Sequence, residues 1–201
     1  MSTFFIIIPV IIILYFVLLF WFTDRRASPR LDLSRLKDAP LKFGKDFLWG
    51  SATSSHQVEG YCTNNNWYRF ESAVNEQGKP RILNGQKASI ASDHWKRYKE
   101  DVQLMKDLSL NAYRFSVEWS KIEPRQGEFD ENALAHYEQV VAELLANGIQ
   151  PVITLHHFTD PIWFEEQGAF LQENSPEIFA SFVEKVVNRL GSRVKLWCTI
   201  N

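Results

Sequence analysis

The sequence predicts a parallel α/β protein carried behind one apolar N-terminal helix. Two observations predict it. An uncharged run, Phe4 to Phe22, opens the chain, and from Phe43 onward short apolar segments alternate with amphipathic helical stretches. Strand–helix alternation with right-handed crossovers builds a parallel sheet. The chain therefore divides into residues 4–22 as a transmembrane anchor, 23–42 as a charged linker and 43–201 as four βα units.

The opening run, "FFIIIPVIIILYFVLLFWF", is nineteen residues long. As a helix it extends roughly 28 Å, close to the hydrocarbon thickness of a bilayer. Trp21 is placed for the interface, and Pro9 near the start is tolerated in such helices. A cleaved signal peptide would want a positive leader, a shorter apolar core and a small-residue cleavage site. Here only Ser2 and Thr3 separate the run from Met1, while Arg25, Arg26 and Arg30 follow it. The anchor is the better reading, and the positive-inside rule puts the soluble part in the cytoplasm.

Composition narrows the functional classes. With 201 residues there is room for about one domain and an appendage. A net charge of −2 gives no electrostatic footprint for nucleic acid. Seven Trp and fifteen Phe serve either a packed core or stacking platforms for carbohydrate. Cys62 and Cys198 do not make a disulfide framework, and no Asn-x-Ser/Thr acceptor is present. Both features fit a reducing compartment.

The elements follow in order. "DFLWGSAT" (46–53) is the first strand, followed by a polar loop to about Ala91. Ser92 is the candidate cap of a helix whose Trp95, Tyr98, Val102, Met105 and Leu108 recur at three and four residues. "NAYRFSVEW" (111–119) is the second strand. The next helix buries Leu134, Tyr137, Val141, Leu144 and Leu145 and stops at Gly148. "QPVITLHH" (150–157) is the third strand. Ser175 at the cap and Pro176 in the first turn open a helix with a stripe of Phe179, Phe182, Val183, Val186 and Leu190. "VKLWCTIN" is the fourth strand. Four such units fit a small doubly wound domain or half of an eight-stranded barrel. No Gly-x-Gly-x-x-Gly or Walker loop is present, so the first lacks its phosphate cradle.

Polar residues gather at the strand ends, the face where a barrel builds its active site. Gln57 follows strand one, Arg114 lies on strand two, His156 and His157 end strand three, and Asn201 ends strand four. Strand alternation puts Arg114, Ser116 and Glu118 on one face. Arg114 and Glu118 stand about 13 Å apart along the strand, so Arg114 needs a carboxylate from elsewhere. The rim is rich in hydrogen-bond donors and poor in bulk, which suits a polyhydroxylated ligand. A metal site is not expected, because adjacent histidines on a strand face opposite ways and no Cys/Asp/Glu cluster joins them.

"FLWGSATSSHQVEG", "NNNWYRFE", "YRFSVEWSKIEP", "GIQPVITLHHFTDP" and "KLWCTIN" resemble, in order and spacing, family 1 glycoside hydrolases, the β-glucosidase family. The resemblance implies a (β/α)8 TIM barrel of which residues 43–201 are the N-terminal half, and retaining hydrolysis of β-linked O-glycosides without metal or cofactor. It implies that Gln57, His157 and Asn201 bind the glycone sugar and that Arg114 orients the nucleophilic carboxylate. It puts the acid/base glutamate directly after Asn201 and the nucleophile in a later strand, so residues 1–201 alone are expected to be inactive. Four strands of eight also leave two unpaired edges, so poor folding is expected. Glu59 and Glu118 are not taken as substitutes, the first belonging to a structural loop and the second read as mid-strand. His156 and Phe158 stand where the family has Tyr and Trp, which bears on sugar preference. A membrane-tethered, non-catalytic sugar-binding or scaffolding module would use the same rim without the carboxylates.

Overall fold

The computed structural model describes residues 2–26 and 42–201. The chain forms two units, Met1–Lys45 and Asp46–Asn201. In the first, α1 (Ser2–Arg26) is one continuous helix. Its side chains are described only for residues 11–23, a rise of about 20 Å. Among the described residues no helix is long and apolar enough to cross a membrane. Most of the expected linker, residues 27–41, lies outside the described residues.

The second unit holds β1 (Gly50–Thr53), α2 (Ser55–Val58), α3 (Asn66–Ser72), α4 (His94–Asp107), β2 (Ala112–Ser116), α5 (Trp119–Ile122), α6 (Glu131–Ala146), β3 (Gln150–His156), α7 (Ile162–Glu166), α8 (Ser175–Leu190) and β4 (Leu196–Ile200). The strands form one sheet in the order β1-β2-β3-β4. Every pairing is parallel, with Gly50 opposite Ala112, Ala112 opposite Gln150 and Val152 opposite Leu196. Sequential order in a parallel sheet is that of successive barrel strands. β2 and β3 are central, whereas the edge strands β1 and β4 leave residues such as Ile200 exposed.

The core lies between the sheet and the helices. Tyr113, Phe115, Ile153 and Leu155 from the sheet pack with Val102 of α4, Leu134, Val141 and Leu144 of α6, and Phe182 and Val186 of α8. The stripes anticipated for the three helices are those that pack, apart from Leu108 and Leu145, which are exposed. Trp119 is the aromatic centre, 1% exposed. It stacks on Phe182 at 4.8 Å and touches Phe164 and Phe179. Its indole N–H donates to Glu123 Oε2 at 2.7 Å, which satisfies the polar edge of a buried ring.

Two helix starts differ from expectation. α4 begins at His94 with Asp93 as its cap residue, at φ 55° and without a side-chain capping bond, so Ser92 does not cap it. The left-handed turn at Asp93 lets Trp95 N–H reach Glu59 C=O at 3.1 Å, tying α4 to the loop after β1. α8 is preceded by Asn174, and Ser175 is its first residue. Gly60 in the same loop has φ +79°, and a Cβ there would stand 2.3 Å from Ile90 C=O, so only glycine fits.

His136 on α6 makes stability pH-dependent. Its ring stacks on Trp95 at a centroid distance of 3.8 Å. Burial, with the Lys121 charge and then His94 adding, pushes its pKa down to about 4. Unfolded histidine titrates near 6.5, so between those values the unfolded chain binds the extra proton. Stability is full above pH 6.5 and falls as pH drops toward 4, by about 1–2 kcal/mol once solvent screening of the half-buried ring is allowed for. Urea unfolding of His136→Phe is expected to lack most of that slope.

Candidate active site

The C-terminal ends of the strands carry a polar rim, and a buried carboxylate cluster ties together the segments that follow β1, β2 and β3. Arg114 projects from β2 on the face opposite Tyr113 and Phe115. Its Nε donates to Thr154 Oγ1 at 2.9 Å, and its terminal nitrogen reaches Cys198 Sγ at 3.7 Å and bonds Asn201 Oδ1. One planar fork therefore spans β2, β3 and the end of β4. Asn201 is held a second time, its N–H donating to His156 C=O at 3.0 Å. The expected carboxylate partner of Arg114 is absent among the described residues; neutral groups take its place.

His157 stands beside this pair. Burial, the Arg114 charge and then His156 lower its pKa, so the ring is neutral at neutral pH. Its ring meets Phe158 edge-on at 5.2 Å, and Phe158 meets Trp67 in the same way at 5.5 Å. Gln57 is exposed on α2, and its Oε1 accepts from Ser54 Oγ at 2.7 Å. A cavity of about 440 Å³ runs between Gln57, Trp67, Ile82, Lys87 and Phe158. The structure thus joins Arg114 and Asn201 directly and keeps His157 within the Arg114 field. Gln57 shares this cavity with Phe158, the ring that meets His157.

His156 does not share the rim. It is buried, its Nε2 pairs with Asp160 Oδ1 at 2.9 Å, and its ring packs edge-on against Phe170 and Phe179. No group of three or more His, Cys, Asp or Glu side chains among the described residues is arranged to hold a metal.

Glu118 corrects the strand reading. β2 ends at Ser116, and Glu118 is the residue before α5 rather than mid-strand. It is fully buried. Its Oε1 accepts from Asn65 Nδ2 at 3.0 Å and Ser120 Oγ at 2.6 Å, and its Oε2 from Ser55 Oγ at 2.8 Å and Thr159 Oγ1 at 3.2 Å. These four donors come from the segments that follow β1, β2 and β3. Asn65 extends the cluster: its amide also donates to His56 Nδ1 at 3.1 Å, and its Oδ1 caps α3 by accepting from Tyr68 N–H at 2.8 Å. The other ring nitrogen of His56 meets Glu71 Oε1 at 2.9 Å.

Glu59 is the second buried carboxylate. Lys121 Nζ donates to its Oε2 and Tyr137 Oη to its Oε1, both at 2.8 Å. Burial raises its pKa and Lys121 opposes the rise. Tyr137 Oη also accepts from Glu118 N–H at 2.7 Å, joining the two carboxylate sites. Both carboxylates are buried: Glu118 takes two donors on each oxygen and Glu59 one on each, all from within the protein. Asn65 and Thr159, which the sequence reading passed over, are structural members of this support.

The parallel sheet in sequential order, with polar side chains on its strand ends, is the arrangement of successive units of a β/α barrel. Residues 39–201 match Glycosyl hydrolase family 1. The chain is 39% identical over 176 residues to Aryl-phospho-beta-D-glucosidase BglC of Bacillus subtilis (strain 168), covering 81% of this chain and 34% of that protein. It is 34% identical over 167 residues to Beta-glucosidase A of Acetivibrio thermocellus, covering 80% and 36%. Among solved structures it superposes on a beta-glycosidase from Pyrococcus horikoshii with TM-score 0.71 and 41% identity, covering 81% of this chain and 36% of that one. The Family 1 b-glucosidase from Thermotoga maritima gives TM-score 0.75 at 32% identity, covering 80% and 36%. The chain belongs to glycosyl hydrolase family 1, and it spans about a third of the length of these relatives.

Proposed function

We propose that this chain supplies the sugar-binding half of the active site of a retaining β-glycosidase acting on β-linked O-glycosides. The observation that carries the proposal is the Arg114–Asn201 bond at the end of β4, with the neutral His157 alongside. On this reading Asn201, His157 and Gln57 hydrogen-bond hydroxyls of the glycone. A neutral imidazole and two side-chain amides both donate and accept, which matches sugar hydroxyls. Arg114 has no carboxylate among the described residues, and its guanidinium is the natural partner for a nucleophilic carboxylate from a later strand.

Retention requires two carboxylates about 5–5.5 Å apart, one as acid/base and one as nucleophile. Neither role falls to Glu59 or Glu118, because both are buried and hydrogen-bonded to donors inside the protein. The acid/base is assigned to the position after Asn201, and residues 1–201 alone are inactive. Beta-glucoside-like substrates are supported by the names of the relatives and by a Thermotoga maritima beta-glucosidase solved in complex with castanospermine. On the same reading residues 4–22 anchor the protein in a membrane with the soluble unit in the cytoplasm. The support for that is the nineteen-residue uncharged run and the arginines after it.

Reading the codons downstream of Asn201 tests the assignment. Glu-Pro is the expected continuation. A stop codon at that position would overturn it in favour of a tethered, non-catalytic sugar-binding module.

A further inference from the structure

One buried side chain beneath the rim has an unfilled hydrogen-bonding position. His94, the first residue of α4, is 6% exposed. Its Nδ1 faces Asp101 Oδ2 at 2.6 Å, and its Nε2 is buried without a partner among the described residues. The Asp101 carboxylate only accepts, so Nδ1 carries the hydrogen, and in the neutral ring Nε2 then presents a lone pair. His94 lines a small cavity of about 10 Å³ together with Thr53, Ser55, Glu59, Tyr113 and Ser116. That volume is at the scale of a single water.

The donors and acceptors around the space are complementary to one water. Tyr113 Oη and Thr53 Oγ1 stand 2.5 Å apart, so one donates to the other and the pair keeps one unused O–H. The two oxygens of Glu59 each hold one donor, Tyr137 and Lys121, and each retains lone-pair capacity. The His94 and Tyr113 rings lie 6.0 Å apart between centroids, edge to face, so the two side chains flank the same space.

We propose that one water molecule is resident in this cavity. It donates to His94 Nε2 and to Glu59, and it accepts the spare hydroxyl hydrogen of the Thr53–Tyr113 pair. Ser55, Val58 and Glu59 line the same space, so the water ties the turn that carries Gln57 to α4 and to β1 and β2. The site is independent of the sugar-binding assignments and belongs to the support of the rim.

A crystal structure of the full chain, at a resolution that defines ordered water, tests this directly. The expected result is one fully occupied water within hydrogen-bond distance of His94 Nε2 and of the Thr53 or Tyr113 hydroxyl. An empty cavity, or His94 Nε2 bonded directly to a protein atom, overturns the proposal. In solution, a long-lived water cross-peak to the methyls of Val140, which also lines the cavity, is expected, and it should be lost in His94→Phe. Its absence from the unsubstituted chain counts equally against the site.

Discussion

Replacing Glu118 with alanine is expected to destabilise the chain by about 3–5 kcal/mol, as when one partner of a buried charged network is removed. Four donors, from Ser55, Asn65, Ser120 and Thr159, would lose their acceptor at once in a fully buried site. Each buried unsatisfied group costs about 1–3 kcal/mol, and partial relaxation keeps the sum below simple addition. Glu118→Gln keeps the shape but turns an NH2 toward donors, so it should also destabilise, by less. Urea midpoints of the three proteins check the ordering. A Glu118→Ala protein as stable as the parent would mean that the cluster does not hold the three loops together.

Arg114→Lys carries the second large effect, on catalysis rather than stability, and it rests on the proposed function. In a protein containing residues 1–201 together with the nucleophile-bearing strands, kcat/KM for an aryl β-glucoside should fall by about 10²–10³. That is the usual cost of losing one preorganised electrostatic donor, about 2.7–4 kcal/mol. Lysine keeps the charge but has no planar fork, so it cannot serve Thr154, Asn201 and an incoming carboxylate together. The loss should fall mainly on kcat, since the carboxylate it orients attacks only in the chemical step. An unchanged kcat would remove Arg114 from the mechanism.

The strands and helices were legible from short apolar segments at 112–116 and 150–156 and from three-four spacing on α4, α6 and α8. The sequential strand order was legible through the barrel resemblance, since the parallel class alone also allows a doubly wound order. Glu118 was misread because "YRFSVEW" keeps alternating past Ser116, while the chain turns into α5 there. The turn is imposed by tertiary bonds, with Glu118 N–H on Tyr137 and its carboxylate on three loops, and no local pattern encodes those. Asn65 was equally hidden. It is one of three consecutive asparagines, and only the fold makes it the fully buried member that joins Glu118 to His56.

At the rim, Arg114, His157 and Asn201 were visible as polar residues at strand ends, because charged and amide groups there need a reason. The direct Arg114–Asn201 bond was not, since pairing β2 with β4 across β3 depends on side-chain length and on the register of two ladders. The apolar run 4–22 was the plainest feature of the sequence, and its described side chains begin only at residue 11.

The most direct test of the division of labour proposed for this site is aryl β-D-glucoside hydrolysis by purified residues 1–201. No turnover above background is expected, because the acid/base and the nucleophile are both assigned outside this segment. Turnover that disappears in Glu118→Gln or Glu59→Gln would contradict it, by making a buried structural carboxylate the catalyst.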